Sequence, residues 1–192
     1  QGYDEHAAAP LYAEPLLMIA CPFQAGATCY RLISDGGDPP TVSGAPIWHS
    51  RKLSNDTASS VLVDGYVYGF DLRDVQAKAH RPSRGTFRCL DFATGEVQWE
   101  SDRPGHATAI AADGKLYLLN DRGEAILARV SPKRYEERGR VEIFPDEICW
   151  TAPSLCDGRL YLRSPTRAAC LYVGRPEELA DYDAVIFGTP TR

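Results

Sequence analysis

Short runs of strand-forming residues, each closed by a turn signal, recur along this chain, and no long stretch repeats apolar residues at i, i+3, i+4 and i+7. The clearest block is Ser60-Val61-Leu62-Val63, then Asp64-Gly65, then Tyr66-Val67-Tyr68-Gly69-Phe70, which predicts a hairpin. Asp-Gly suits a type I′ turn, because both central residues need φ > 0 and the twist of that turn matches paired strands. A polar loop follows from Asp71 to Arg84, a third strand over Thr86-Phe87-Arg88-Cys89-Leu90, a tight turn over Asp91-Phe92-Ala93-Thr94-Gly95, and a fourth strand over Glu96-Val97-Gln98-Trp99. In that turn Asp91 is placed to accept backbone N–H bonds and Gly95 to adopt φ > 0. The expected unit is a four-stranded antiparallel meander.

The unit repeats. The three tryptophans are spaced evenly, 99 − 48 = 51 and 150 − 99 = 51, and the Asp-Gly pairs at 64, 113 and 157 recur at 49 and 44 residues. A third unit runs from Ala109 through Asp113-Gly114, Lys115 to Leu119 and Gly123 to Val130; its third turn is expanded by Ser131 to Arg140, and its last strand reaches Cys149-Trp150. A fourth opens at Pro153 to Cys156 and continues through Arg159 to Leu162 and Ala168 to Val173. The first is the most degenerate, with strands near Leu16 to Cys21, Ala27 to Ile33 and Pro46 to Arg51 around the Gly/Pro-rich loop at Gly36 to Gly44. The expected blades span approximately residues 1–53, 54–103, 104–152 and 153–174, with 175–192 as a C-terminal tail.

A repeated four-stranded meander of about 40–50 residues predicts an all-β fold, a partial β-propeller of about three and a half blades, since each twisted sheet leaves apolar faces that only neighbouring blades cover. The stretches Val63-Asp64-Gly65-Tyr66-Val67-Tyr68 and Cys89-Leu90-Asp91-Phe92-Ala93-Thr94-Gly95-Glu96-Val97-Gln98-Trp99 resemble the pyrroloquinoline-quinone-like (PQQ-like) propeller repeat. The resemblance covers roughly Tyr3 to Val173 and is similar to the carboxyl-terminal half of the BamB-like propeller family. It implies about seven or eight blades in the whole propeller, so that amino-terminal blades are missing here, and it implies a bacterial periplasmic or secreted protein. The chain opens at Gln1 with neither Met nor a basic and apolar leader, so it is expected to be a fragment whose export signal lies outside it.

Composition narrows the partners. The chain has 192 residues, with Lys+Arg 21 against Asp+Glu 26 and a net charge of −5. That balance, with a pI near 5.4, argues against nucleic acid held by phosphate neutralisation. Hydrophobic content of 44% and charged content of 24% describe a soluble globular chain. The longest apolar run, Leu16 to Cys21, falls far short of the ~20 residues that span a bilayer.

Candidate chemistry is sparse. A tryptophan ending the outer strand of each blade reads as a docking residue for the next blade rather than as a quinone platform. Cys29, Cys89 and Cys170 share one repeat column with Leu127, and Cys156 shares another with Val63 and Ala112, so all four read as buried thiols. Cys21 and Cys29 carry an open alternative, a disulfide across a hairpin centred near Ala25. The chain has no Cys-x-x-Cys, His-x-x-His or His-Glu-x-x-His spacing for zinc, and no nucleophile elbow, phosphate loop or dinucleotide fingerprint. His6, His49, His80 and His106 lack motif partners. The linkers between blades gather near the axis, where Asn55, Asp56 and Thr57, Gly105, His106 and Ala107, and Thr151 are the candidate ligand contacts. Trp48 + 7 is Asn55 and Trp99 + 7 is His106, which makes these two equivalent. The alternative for all of them is a solvated loop. Lys133 to Arg138 reads as a solvated surface or a partial helix.

The resulting reading is a non-catalytic scaffold that binds protein partners through blade loops and the missing blades, with no cofactor. The alternatives are a fragment of a PQQ-dependent alcohol dehydrogenase, with calcium beside the quinone, and a carbohydrate- or ligand-binding propeller. The quinoprotein dehydrogenases that resemble this repeat carry an adjacent Cys-Cys pair, and this chain has none.

Overall fold

The structure, a computed structural model, describes residues 7–74 and 83–173. Within them β1 (Leu11–Ala13), β2 (Leu16–Cys21), β3 (Gly26–Ser34) and β4 (Val42–Ser50) form the first antiparallel sheet. The second holds β5 (Val61–Val63), β6 (Tyr66–Asp74), β7 (Arg84–Asp91) and β8 (Val97–Ser101). The third holds β9 (Ala107–Ala112), β10 (Lys115–Asn120), β11 (Glu124–Arg129) and β12 (Glu136–Glu142). The fourth holds β13 (Ser154–Cys156), β14 (Arg159–Arg163) and β15 (Ala168–Tyr172). Each sheet is a meander in chain order, so the fold is all-β and the sheets are propeller blades.

The turn chemistry explains the local register. Asp64 and Gly65 take φ of 49° and 80°, Asp113 and Gly114 take 50° and 68°, and Asp157 and Gly158 take 48° and 69°. These are type I′ turns, and they pair Val63 with Tyr66, Ala112 with Lys115 and Cys156 with Arg159. In the β7–β8 turn, Asp91 Oδ1 accepts the N–H groups of Ala93 and Thr94 at 2.9 and 2.8 Å. Gly95 closes that turn at φ 75°.

Successive blades pack face to face. Met18, Ala20, Ala27, Cys29 and Trp48 of the first blade meet Leu62, Val67, Leu90 and Phe92 of the second. The opposite face of the second, with Tyr68, Phe70, Phe87, Cys89 and Trp99, meets Ala109, Leu116, Leu118, Ile126 and Ala128 of the third. Tyr117, Leu119, Ala125 and Leu127 then meet Leu160, Leu162, Leu155 and Leu171 of the fourth. The second and third blades thus send alternate residues of their strands to two different neighbours, which is what a propeller requires of its sheets.

Trp48 and Trp99 dock as expected. The Trp48 indole N–H donates to the Phe92 carbonyl at 3.0 Å, and that of Trp99 to the Ser131 carbonyl at 2.8 Å. Each acceptor lies just past the third strand of the next blade. Trp150 does not follow. It lies outside any strand and is 47% exposed. The third blade takes its outer strand from Glu136–Glu142 instead, overlapping the Ser131 to Arg140 segment read from sequence as an expanded turn and, over Lys133 to Arg138, as a solvated or partly helical charged loop. An outer strand has one paired edge and one solvated one, so charge is tolerated there. Arg138 and Glu136 pair at 3.1 Å, and Arg140 pairs with Glu124 at 2.7 Å and Glu137 at 3.1 Å. The even tryptophan spacing therefore marks two structural repeats rather than three.

Other expectations shift in detail. β6 continues through Asp71 to Asp74, which the sequence reading placed in a loop; residues 75–82, with His80, lie outside the described residues, as do His6 and the tail from 174. The β2–β3 hairpin pairs Cys21 with Gly26 and Cys29 with Met18, so the two thiols do not face each other and both are free. The Cys29, Cys89, Leu127 and Cys170 column is real, since each pairs with the matching residue of the second strand: Met18, Tyr68, Tyr117 and Tyr161. Cys29 and Cys89 are buried, but Cys170 and Cys156 are exposed, because no described element covers the outer face of the fourth blade. Cys149 is buried among Phe144, Leu160 and Leu162 instead.

Candidate functional site at the blade linkers

The linkers from each outer strand to the next inner strand carry the candidate residues, and the ends of β6 and β10 hold them. Asp71, near the end of β6, places Oδ1 2.9 Å from the Ser54 N–H and turns Oδ2 to the Arg88 guanidinium. Arg88 is 1% exposed; it also donates to the Lys52 carbonyl at 2.8 Å and to Glu100 at 3.1 Å. The charge pair thus clamps the linker to the second blade from beneath. The N–H of Leu72 then bonds the Ser54 carbonyl at 2.9 Å.

Asn55 is 1% exposed, not solvated. Its Nδ2 donates to the Phe70 carbonyl at 3.1 Å, and its Oδ1 accepts the Ser60 hydroxyl at 2.8 Å. Asp56 is buried too, at 8% exposure. The solvated-loop reading therefore fails for both residues. Thr57 Oγ1 is buried without a hydrogen-bond partner among the described residues.

In the second linker His106 is 4% exposed and lies flat on Phe70, with ring centroids 4.8 Å apart and planes 21° apart. Its Nδ1 is 3.0 Å from Ser83 Oγ, and the Ser83 N–H donates to Asp121 Oδ2 at 2.7 Å. Desolvation pushes the His106 pKa below the usual imidazole value, against the opposing charges of Asp121 and Asp56, so the neutral ring is favoured. Asp121 Oδ1 is buried without a partner among the described residues. The neighbouring Asn120 ties the linker down by donating to the Pro104 carbonyl at 2.9 Å.

The structure revises the equivalence of Asn55 and His106. The N–H of Asp121 bonds the His106 carbonyl at 2.8 Å, as that of Leu72 bonds Ser54. Ser54 is therefore the structural counterpart of His106, and counting from the tryptophans slips by one. Asn55 corresponds instead to Thr151, whose Oγ1 donates to the Arg163 carbonyl at 2.6 Å; Phe70 and Arg163 occupy matching places on β6 and β14. The candidate residues come together near His106, with Asp56, Ser83 and Asp121 around it, while Asn55 and Thr151 serve backbone carbonyls.

The sequence reading missed Asp71, Arg88, Ser83 and Asp121. A signal existed for one of them: Arg88 interrupts the apolar run Phe87-Arg88-Cys89-Leu90, and a charge inside a strand buried on both faces demands a partner. The linkers offer a hydrogen-bonded, largely closed array, suited to fixing blade geometry. Among the described residues no three His, Cys, Asp or Glu side chains converge on a metal-sized site, and no helix is long and apolar enough to cross a membrane.

Four antiparallel meanders packed face to face, and linked through buried polar connections, define a partial β-propeller. No family model and no curated protein matches the chain. Among solved structures it is similar to BamB from Moraxella catarrhalis, at 16% identity and a TM-score of 0.43 over 88% of this chain. The chain spans 58% of the length of that structure.

Proposed function

We propose that the chain is a non-catalytic propeller scaffold that works by contact with other proteins, in the periplasm or outside the cell, and that its blades are PQQ-like repeats which have kept the architecture without a quinone site. The observation that carries this reading is one repeat column. Tyr68 is 0% exposed and Tyr117 5%, each under the next blade, whereas Tyr161 in the same column is 44% exposed beside the exposed Cys170. At the other end Tyr12 and Ile19, at 58% and 37%, alternate with Leu11, Met18 and Ala20, which face the second blade. Among the described residues these apolar side chains lie open, which favours their being covered by further blades or by protein surfaces. Of the linker residues, Asn55 and Thr151 spend their polar groups on internal hydrogen bonds, which suits a structural role.

Titration with pyrroloquinoline quinone and calcium, coupled to dye-linked alcohol oxidation, tests the non-catalytic half of the reading. Neither stoichiometric binding nor turnover is expected, and both together would replace the scaffold with a dehydrogenase. Sedimentation over a range of concentrations tests the other half. The parent chain is expected to associate and Tyr161→Asp to associate less; a parent that stays monomeric would refute contact through this face.

A further inference from the structure

We propose that the cleft between the third and fourth blades is a binding site for a small planar aromatic heterocycle that carries an N–H donor, of the size of indole. The three complete blades share a bulge at one point of their outer pair. It falls between Cys29 and Tyr30, between Cys89 and Leu90, and between Leu127 and Ala128. Immediately before it, Cys29 pairs with Trp48, Cys89 with Trp99 and Leu127 with Gly139. Gly139 thus occupies the position from which the other two blades extend an indole against their neighbour.

In those two blades the indole fills the space between sheets. Trp48 lies so close to the second blade that a Cβ on Gly95 would sit 2.7 Å from its ring, and Trp99 stands 6.0 Å from Tyr68 and 5.9 Å from Tyr135 between ring centroids. At Gly139 a Cβ would meet nothing within 4 Å. The space that remains is a cleft of 410 Å³, within the range of small-ligand sites. Tyr117, Leu127 and Val141 line one wall, Leu160, Leu171 and Val173 the other.

The chemistry of the occupant follows from the two filled clefts. Tyr117 is the counterpart of Tyr68, which packs against Trp99. The backbone N–H groups of Phe92 and Val173 make the same bond, to Gly65 at 2.9 Å and to Gly158 at 2.8 Å. By the precedent of Trp48 the Val173 carbonyl holds the place of the Phe92 carbonyl that accepts its N–H; in the other filled cleft Val130, bonded to Gly114 at 2.9 Å, holds that place and Trp99 donates to the next carbonyl, that of Ser131. A flat ring packed between Tyr117 and the aliphatic side chains of the two walls, with an N–H directed at the Val173 carbonyl, satisfies both terms. This site is separate from the contact surfaces proposed above and stands whether or not they function.

The test is a titration of the isotope-labelled full chain with indole, followed by amide shifts in two-dimensional NMR. Saturable shifts are expected at Leu127, Gly139, Leu171 and Val173. N-methylindole, which lacks the donor, is expected to bind about 2- to 10-fold more weakly, the worth of one net hydrogen bond. Gly139→Trp supplies the ring covalently and should abolish saturable binding while raising the melting temperature; Gly139→Ala should retain binding. Absence of saturable shifts, shifts mapped elsewhere, equal binding of N-methylindole, or undiminished binding by a folded Gly139→Trp would overturn the proposal. So would binding of a tryptophan-containing peptide without binding of free indole, which would make the cleft a protein-docking surface.

Discussion

Asp71→Ala is the most informative single perturbation of this fold. Its carboxylate joins three elements: Oδ1 accepts the Ser54 N–H of the first linker at 2.9 Å, Oδ2 pairs with Arg88 on β7, and Arg88 in turn holds the Lys52 carbonyl at 2.8 Å. Arg88 is 1% exposed, so without Asp71 the guanidinium keeps, among the described residues, the Lys52 carbonyl and Glu100, whose side chain is 61% exposed and screened. Removing one member of a buried pair costs about 3–5 kcal/mol, because the other charge is left uncompensated. For a chain of this length that corresponds to a fall of roughly 6–20 °C in melting temperature, read by calorimetry or circular dichroism. Asp71→Asn keeps an acceptor for Ser54 and should lose less. The double variant Asp71→Leu with Arg88→Met removes both charges and should recover much of the loss. A loss below about 1 kcal/mol in Asp71→Ala, or a double variant no better than the single one, would show that Arg88 is solvated and would refute the clamp.

Three further outcomes follow from other parts of the structure. Gly95→Ala combines φ 75° with a Cβ 2.7 Å from the Trp48 indole, whereas Gly65→Ala meets φ 80° with open space around it. The first should cost about 2–4 kcal/mol and the second about 1–2 kcal/mol, measured by denaturant unfolding; equal losses would mean that Trp48 yields freely. The neutral His106 contributes stability that is present above the usual imidazole range and is lost as pH falls from about 6.5 toward its depressed folded value, since the unfolded ring takes up its proton first. His106→Gln should flatten that limb of the stability curve in urea titrations from pH 7.5 to 5, and an unchanged slope would refute the assignment. Cys156 and Cys170 are exposed, whereas burial pushes Cys89 up to about 12 and Cys149 up to about 11. A disulfide reagent at pH 8 should therefore label the first two quickly and the others only on unfolding, and fast labelling of Cys89 would contradict its place in the core.

The sequence alone determined the local geometry of this protein. Asp64-Gly65, Asp113-Gly114 and Asp157-Gly158 permit few conformations, and the strands they join alternate between two neighbours, so hairpins, blade order and the all-β fold were legible from residue chemistry. Tertiary structure decided whatever depended on the next blade. Tyr68, Tyr117 and Tyr161 form one column in the sequence, yet their exposure runs 0%, 5% and 44%, because burial belongs to the pair of sheets and not to the residue. The even spacing of Trp48, Trp99 and Trp150 pointed to the wrong outer strand in the third blade. There the strand is the charged Glu136–Glu142, which one edge of hydrogen bonds and cross-strand ion pairs hold without an apolar pattern. From the sequence the linker residues Asn55, Asp56 and His106 were candidate ligand contacts, with solvated loop as the alternative. They are buried because the second strands of the blades tie the linkers down with partners distant along the chain: the Phe70 carbonyl accepts from Asn55, Asp71 and Asn120 hold the adjoining Ser54 and Pro104, and the Asp121 N–H bonds the His106 carbonyl.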